Sequence, residues 1–259
     1  MPLRLKLALS YLLIGLIPVL AMAFVVYQQA SEALRVQTLN ALEAVANIKQ
    51  QQLLDNWQER HNQISTLASN LSNSYDGLDT NALLSSSNYD RPIFENFIAT
   101  FGYRELKLVL PDGTVMFSLR RGDDYQNNLG SPALRNTPLA RLVKQSAEQR
   151  QILISDLLYN QLSKAPTQYL AAPIGSDDEL QMTLVLELPI APLNAVMQTR
   201  QGLGEQGETY LVGSDSRLRS DSVRFPDLQV NRSLSPSTAL TANAIDRALA
   251  GQQGRLEEA

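Results

Sequence analysis

The sequence predicts an α+β protein: an N-terminal transmembrane helix, a long helix, and then two antiparallel-sheet lobes, the second incomplete. Three observations carry this expectation. An uncharged apolar run opens the chain, a stretch of helical periodicity free of glycine and proline follows it, and a strand–turn–strand–helix pattern occurs twice at a fixed offset.

The run 7–27, LALSYLLIGLIPVLAMAFVVY, holds 18 hydrophobic residues in 21 and no charge. At about 1.5 Å per residue such a helix spans roughly 30 Å, the thickness of a bilayer core. Arg4 and Lys6 precede it without an acidic partner, which predicts a cytoplasmic tail over 1–6 and an exported remainder at the inner membrane. A signal peptide cleaved at Ala21-Met22-Ala23 is the competing reading, and the apolar residues that continue to Tyr27 favour a retained anchor. Over 28–75 no glycine or proline occurs, and Leu34, Leu39, Leu42, Val45, Ile48, Leu53, Trp57, Ile64, Leu67 and Leu71 recur mostly at steps of three, four or seven. That periodicity predicts one long stalk helix, which either lines a whole domain or pairs with a second copy of itself to give a homodimer. Trp57 reads as a core or interface anchor and His61 as a surface helix residue.

The segment 106–119, LKLVLPDGTVMFSL, reads as strand, tight turn and strand, with Pro111-Asp112-Gly113 supplying the turn. A polar stretch follows, then a helix over 137–149. Three strand-like runs at 150–159, 167–174 and 179–188 come next and can pair as an antiparallel meander. At Glu208 the pattern restarts: ETYLVGSDSRLRSDS is again strand, Asp-centred turn and strand. An offset of 103 places Asp112 on Asp215, brings Leu108, Val109 and Val115 onto Leu211, Val212 and Leu218, and carries the 137–149 helix onto 240–252. The same offset would end the second copy near 291, about 32 residues past Ala259. The expected lobes are therefore 76–200 and a truncated 201–259.

The segment GLGEQGETYLVGSDSRLRSDS (202–222) resembles the GxxGETYLVGxDxxLRSDS stretch that opens the membrane-proximal half of double Cache sensor domains in bacterial methyl-accepting chemotaxis receptors and transmembrane sensor kinases. The run DLLYNQLSKAPTQYLAAPI (156–174) is similar to the D-x-x-Y-x-x-S-x-x-P-x-x-x-x-A-x-P-I run of the same sensors. The resemblance implies PAS-like (Cache) lobes outside the cytoplasm. In such sensors the membrane-distal lobe binds a small molecule, and the signal passes through the membrane to a cytoplasmic output module and its partners. No second membrane helix, HAMP linker, methylated coiled coil, kinase or cyclase segment occurs in these residues. The output therefore stays open between a chemotaxis receptor and a histidine kinase or diguanylate cyclase. The R-x-W-Y-x-x-A run of the amino-acid-binding subgroup is absent, so the resemblance gives no support to amino-acid ligands.

Composition narrows the chemistry. There is no cysteine and one histidine, His61, in 259 residues, which removes thiol nucleophiles, disulfides and Cys-ligated zinc and argues against a Ser–His triad or a His-rich metal centre. No enzyme activity, cofactor or metal is expected. A net charge of −4 is no footprint for nucleic acid, and the three arginines of RLRSDSVR (217–224) alternate with acids and read as loop and lobe contacts. Gly202, Gly204 and Gly207 spell a dinucleotide fingerprint, but a helical stretch precedes them and a strand-like one follows, the reverse of what phosphate binding needs. Asp177-Asp178 reads as a hairpin turn. The candidate ligand-binding residues are Arg120, Arg121, Asp123, Asp124 and Tyr125, in the strand-to-helix connection, with Asp156, Tyr159 and Tyr169, which combine aromatic walls with a charge.

Overall fold

Helix α1 runs without a break from Leu3 to Tyr75, 73 residues with Pro18 inside it. The two segments expected at 7–27 and 28–75 are thus one helix. The structure, a computed structural model, describes residues 3–160, 165–176, 179–230, 240, 243–252 and 254. The chain divides into two units, one of Met1–Ile48 with Arg200–Gly207 and the other of Lys49–Thr199 with Glu208–Leu256. In the first unit the helix is apolar and long enough to cross a membrane by length and composition. Its large side chains from Tyr11 to Tyr27, Ile14, Phe24 and Val26 among them, are exposed. The three glycines at 202, 204 and 207 sit in or beside a turn and open no helix, so the fingerprint has no phosphate-binding context.

In the second unit, α1 is followed by α2 (Thr80–Tyr89), α3 (Arg91–Phe101), β1 (Glu105–Val109), β2 (Val115–Ser118), α4 (Pro138–Gln149), β3 (Leu153–Ile154), β4 (Leu158–Asn160), β5 (Ala165–Gly175), β6 (Leu180–Leu188), α5 (Ala191–Gln198) and α6 (Asn243–Leu249). The strands form one antiparallel sheet in the order β2-β1-β6-β5-β3, with β4 continuing the pairing along β5. The expected hairpin, helix and meander are all present. Asp177 and Asp178 lie outside the described residues.

Both faces of the sheet are covered, which explains why β5 and β6 read as near-continuous apolar runs. One face packs Leu106, Leu108, Leu170, Leu184 and Leu186 against Ile64, Leu67 and Leu71 of α1 and Phe94 of α3. Phe94 meets Phe117 edge-on, with centroids 5.4 Å apart. The other face packs Val109, Tyr169, Ala171 and Val185 under Leu139, Leu142 and Val143 of α4. Thr137 caps α4 by accepting from Ala140 N at 3.2 Å, with Pro138 at the first helical position. Lys49, buried on α1, donates to the carbonyls of Met197 and Thr199 at 2.6 and 2.7 Å and to Thr209 Oγ1 at 2.7 Å. It thereby satisfies carbonyls at the end of α5, and burial pulls its ammonium pKa down.

The internal repeat holds at the level of hydrogen bonds. In the first turn Leu110 N donates to Thr114 O, Gly113 N to Leu110 O and Thr114 N to Asp112 Oδ1. In the second, at the same offset of 103, Gly213 N donates to Arg217 O, Ser216 N to Gly213 O and Arg217 N to Asp215 Oδ1. Even the left-handed position is kept, with φ of 91° at Gly113 and 59° at Ser216. The strands expected beside the second turn are reduced to one bridge, Val212 to Leu218. The reason is pairing: β1 also bonds β6 along its whole length, whereas no strand lies beside 208–213 among the described residues, and a lone two-stranded hairpin is marginal in water.

Candidate functional site

The covered sheet face that meets α4 carries a row of charges at one end. Glu105 of β1 stands directly opposite Glu187 of β6, and Glu187 directly opposite Tyr169 of β5. One pleat step along β1, Lys107 points to the same face. The connection from β2 to α4 lies over this row. Asp124 drops from it onto Lys107, its two oxygens 2.6 and 2.7 Å from Nζ, and both side chains are more than 90% buried. Glu105 accepts from Leu106 N, Leu119 N and Ser118 Oγ at 2.9, 2.9 and 3.2 Å, and also from Arg120 N. It thereby ties off the end of β2.

Glu187 is the least compensated member. Its ion pair to Arg104 is long, 3.5 Å, and its carboxyl pKa is raised, first by burial and further by Glu105 and Asp124, against the opposing pull of Arg104 and Lys107. A raised carboxyl pKa means that the folded state holds the proton more tightly. The associated stability is present below the ordinary value of 4.5 and is lost as pH rises through the folded value. Glu187→Gln is therefore expected to be more stable than the parent at pH 7.5, with an advantage that shrinks toward pH 4.5. Urea unfolding of both proteins at the two pH values checks this, and a pH-independent difference would refute it.

The roof over the row is fastened at its far end. Asn128 Nδ2 donates to Asp112 O at 2.8 Å and Gly130 N to Asn128 Oδ1 at 2.7 Å, while Val115 and residues 126–127 exchange backbone bonds. Its near end, which carries Asp124, is held to the sheet by the ion pair. Between Asp124, Tyr169, Leu129 and the start of α4 remains a cavity of about 10 Å³, close to the least that admits one water.

The structure brings Asp124 and Tyr169 together and sets Tyr125, half-buried, beside them on the roof. Arg121 is exposed and lies over the Tyr125 ring at 5.7 Å. Arg120 and Asp123 are exposed, contributing a backbone N–H to Glu105 and a carbonyl to Asn127 Nδ2. Asp156 and Tyr159 stand apart, engaged by the 208–230 segment. Asp156 takes the Arg219 guanidinium in two bonds of 2.7 and 2.6 Å, and Tyr159 packs on Leu157, Leu218 and Val230. Glu105, Lys107 and Glu187 are the members that sequence reasoning missed. Their signal was alternation within apolar strands, E-L-K-L and L-V-L-E-L, which reads as a solvated face until α4 and the roof are seen to cover it.

The 202–222 signature is explained by architecture. Glu208 accepts from Tyr210 Oη at 2.6 Å and Ser222 Oγ at 3.0 Å, and from the N–H of Val223. Asp221 exchanges bonds of 2.6 and 2.8 Å with the Asn194 amide of α5. Arg219, its pKa raised chiefly by Asp156, bridges Asp156 and Asp215. These contacts tie the 208–223 loop to itself, to Asp156 and to α5.

No protein-family model matches the chain, and no curated protein matches it significantly. Among solved structures it is similar to the sensory domain of the Campylobacter jejuni chemoreceptor Tlp3 with isoleucine bound, with a TM-score of 0.57 and 13% identity over 85% of this chain and 80% of that one. It is also similar to the ligand-binding domain of the Pseudomonas aeruginosa PAO1 amino acid chemoreceptor PctB in complex with L-Gln, with a TM-score of 0.52 and 16% identity over 75% and 71%. The PctC domain of that organism, in complex with GABA, gives a TM-score of 0.50 and 15% identity over 74% and 79%. At these identities the likeness is one of fold: the chain shares the mixed α/β, Cache-like fold of these chemoreceptor sensory domains.

Proposed function

We propose that this chain is the extracytoplasmic ligand-sensing region of a transmembrane chemotaxis receptor, anchored by the apolar start of α1. It binds a small polar molecule beneath the 120–137 roof. The observation that carries the reading is the buried Lys107–Asp124 pair with Glu187 and Tyr169 on the same sheet face, a charged cluster within an apolar core. The Cache-type fold and the membrane-length helix agree with it. The distal lobe is taken as 76–200 and the proximal one as 201–259, and the exposed Leu34, Leu42 and Ile48 on α1 suit pairing with a second copy.

The mechanism is competition for an ion pair. A ligand with an ammonium group satisfies Asp124 and Glu187, and one with a carboxylate satisfies Lys107. Either frees the near end of the roof from the sheet, while Asn128 holds the far end. The ligand thus selects an open-roof state, and the population shift is set by its differential affinity for the two states. Zwitterions meet both demands, and the relatives in fold bound to isoleucine, L-Gln and GABA make them the first class to test, although the R-x-W-Y-x-x-A run is absent. The test is thermal shift followed by calorimetry on the detergent-solubilised chain with amino acids, amines, organic acids, purines and sugars. A ligand at 100 times its Kd stabilises by about 2.7 kcal/mol. Its affinity should fall at least tenfold in Asp124→Asn. Absence of any shift, or a hit whose affinity Asp124→Asn leaves unchanged, would refute the reading.

A further inference from the structure

A second cavity lies on the opposite face of the sheet from the charged row. Its volume is about 350 Å³, within the range of small-molecule sites. One wall is a single face of α1, with Leu53, Asn56, Trp57 and Arg60 at helical spacing. The other wall is apolar, from the turn after β6 and the first turns of α5, with Pro192 and Val196 among its residues. No acidic side chain lines it, and Arg60 is its one charge.

The polar residues lining this cavity are Asn56, Trp57, Arg60 and Gln168, and the Gln168 amide N–H is spent on Ser155 O at 3.0 Å. Arg60 is held in place without being neutralised: Nη1 donates to Phe101 O at 2.6 Å, and the guanidinium lies 4.8 Å over the Tyr103 ring. Tyr103 is itself fixed by its hydroxyl bond to Gln63 Oε1 at 2.7 Å. The carbonyl at the end of α3 and an aromatic face therefore orient a full positive charge that has no carboxylate partner among the described residues. Beside it, the Trp57 indole N–H and the Asn56 amide make no hydrogen bond among the described residues, and both line the cavity. A pre-positioned cation next to two free donors, set in an apolar chamber, is complementary to one chemical group: a carboxylate with an apolar body.

We infer that this cavity is a second ligand site, taking small monocarboxylates with an aliphatic or aryl tail. The carboxylate pairs with Arg60 and receives the Trp57 and Asn56 donors, and the tail lies along Pro192, Leu193 and Val196. Leu211 of the signature segment also lines it, so an occupant touches α1, α5 and the start of the second repeat at once.

Trp57 is the single tryptophan of the chain, so its fluorescence reports this site alone. Titrating the full chain in detergent with hexanoate should give a saturable change in Trp57 emission. Hexanamide, with the same tail and no charge, should bind at least tenfold more weakly, and Arg60→Gln should weaken hexanoate by a similar factor. Val196→Phe, which fills the chamber and leaves Arg60 and its supports in place, should abolish the response and keeps the test valid if Arg60→Gln does not fold. The paired change Lys107→Met with Asp124→Leu should leave hexanoate binding intact, which separates this site from the roofed one. A response that does not saturate, equal binding of hexanamide, or unchanged hexanoate binding in Val196→Phe overturns the inference.

Discussion

Asp124→Ala is expected to destabilise the protein by about 3–5 kcal/mol, read as a large fall in the urea midpoint in mild detergent. The magnitude follows from what is left behind. Asp124 supplies both anionic contacts to Lys107 Nζ, and the Lys107 side chain is 6% exposed. Without the carboxylate, a largely buried ammonium remains on the sheet face that carries Val109, Tyr169 and Val185 and has lost its anionic partner. Glu187 already faces Arg104, and burial raises its carboxyl pKa, so it is a poor substitute for the lost carboxylate. The same reasoning predicts that Lys107→Met combined with Asp124→Leu stays within about 1 kcal/mol of the parent, because an apolar pair of similar volume removes both the attraction and the desolvation. The double change should also abolish ligand response at the roof while preserving the fold. A mild effect of Asp124→Ala would mean that Lys107 reaches solvent readily and that the roof is not held by the pair.

This pair also shows where sequence reasoning stops. Asp124 was visible as a loop carboxylate near arginines and a tyrosine, the local pattern of a binding loop. Lys107 was not, because E-L-K-L in β1 is the pattern of any half-buried strand. Burial of its polar side is a tertiary fact, created by α4 and the roof some twenty to forty residues later. Elements with local causes were legible: the hairpin from Pro111-Asp112-Gly113, the Thr137 cap, and α1 from its lack of glycine and proline. Asp156 marks the opposite limit. Its D-x-x-Y setting suggested a ligand contact, and its partner in the structure, Arg219, lies 63 residues away. A local motif cannot reveal a long-range ion pair, although the arginines alternating with acids in 217–224 had marked Arg219 for a loop or lobe contact.

That ion pair sets the second large effect. Arg219 makes its bonds to Asp156 from Nε and Nη2, reaches Asp215 from Nη2 at 2.9 Å and donates from Nη1 to Arg217 O at 3.0 Å. Its side chain is 5% exposed, while those of Asp156 and Asp215 are 46% and 35% exposed. Arg219→Met is therefore expected to destabilise by about 2 kcal/mol, less than for a fully buried pair because water can re-solvate both acids. Gly213 offers an independent handle on the same contact. Its backbone needs no glycine, since its φ is not among the positive ones, but a Cβ built there would stand 2.2 Å from Arg219 Nη2 and 2.3 Å from its Cζ. Gly213→Ala must push the guanidinium off Asp156, so it should reproduce most of the Arg219→Met loss. The two changes together should be much less than additive, because the second has no guanidinium left to displace. Limited proteolysis should then cut within 208–230 first in all three variants, since Asp156 is where that segment is ion-paired to the edge of the sheet. Additive losses in the double-mutant cycle would show that the glycine and the arginine act separately, and that the signature's spacing has another cause.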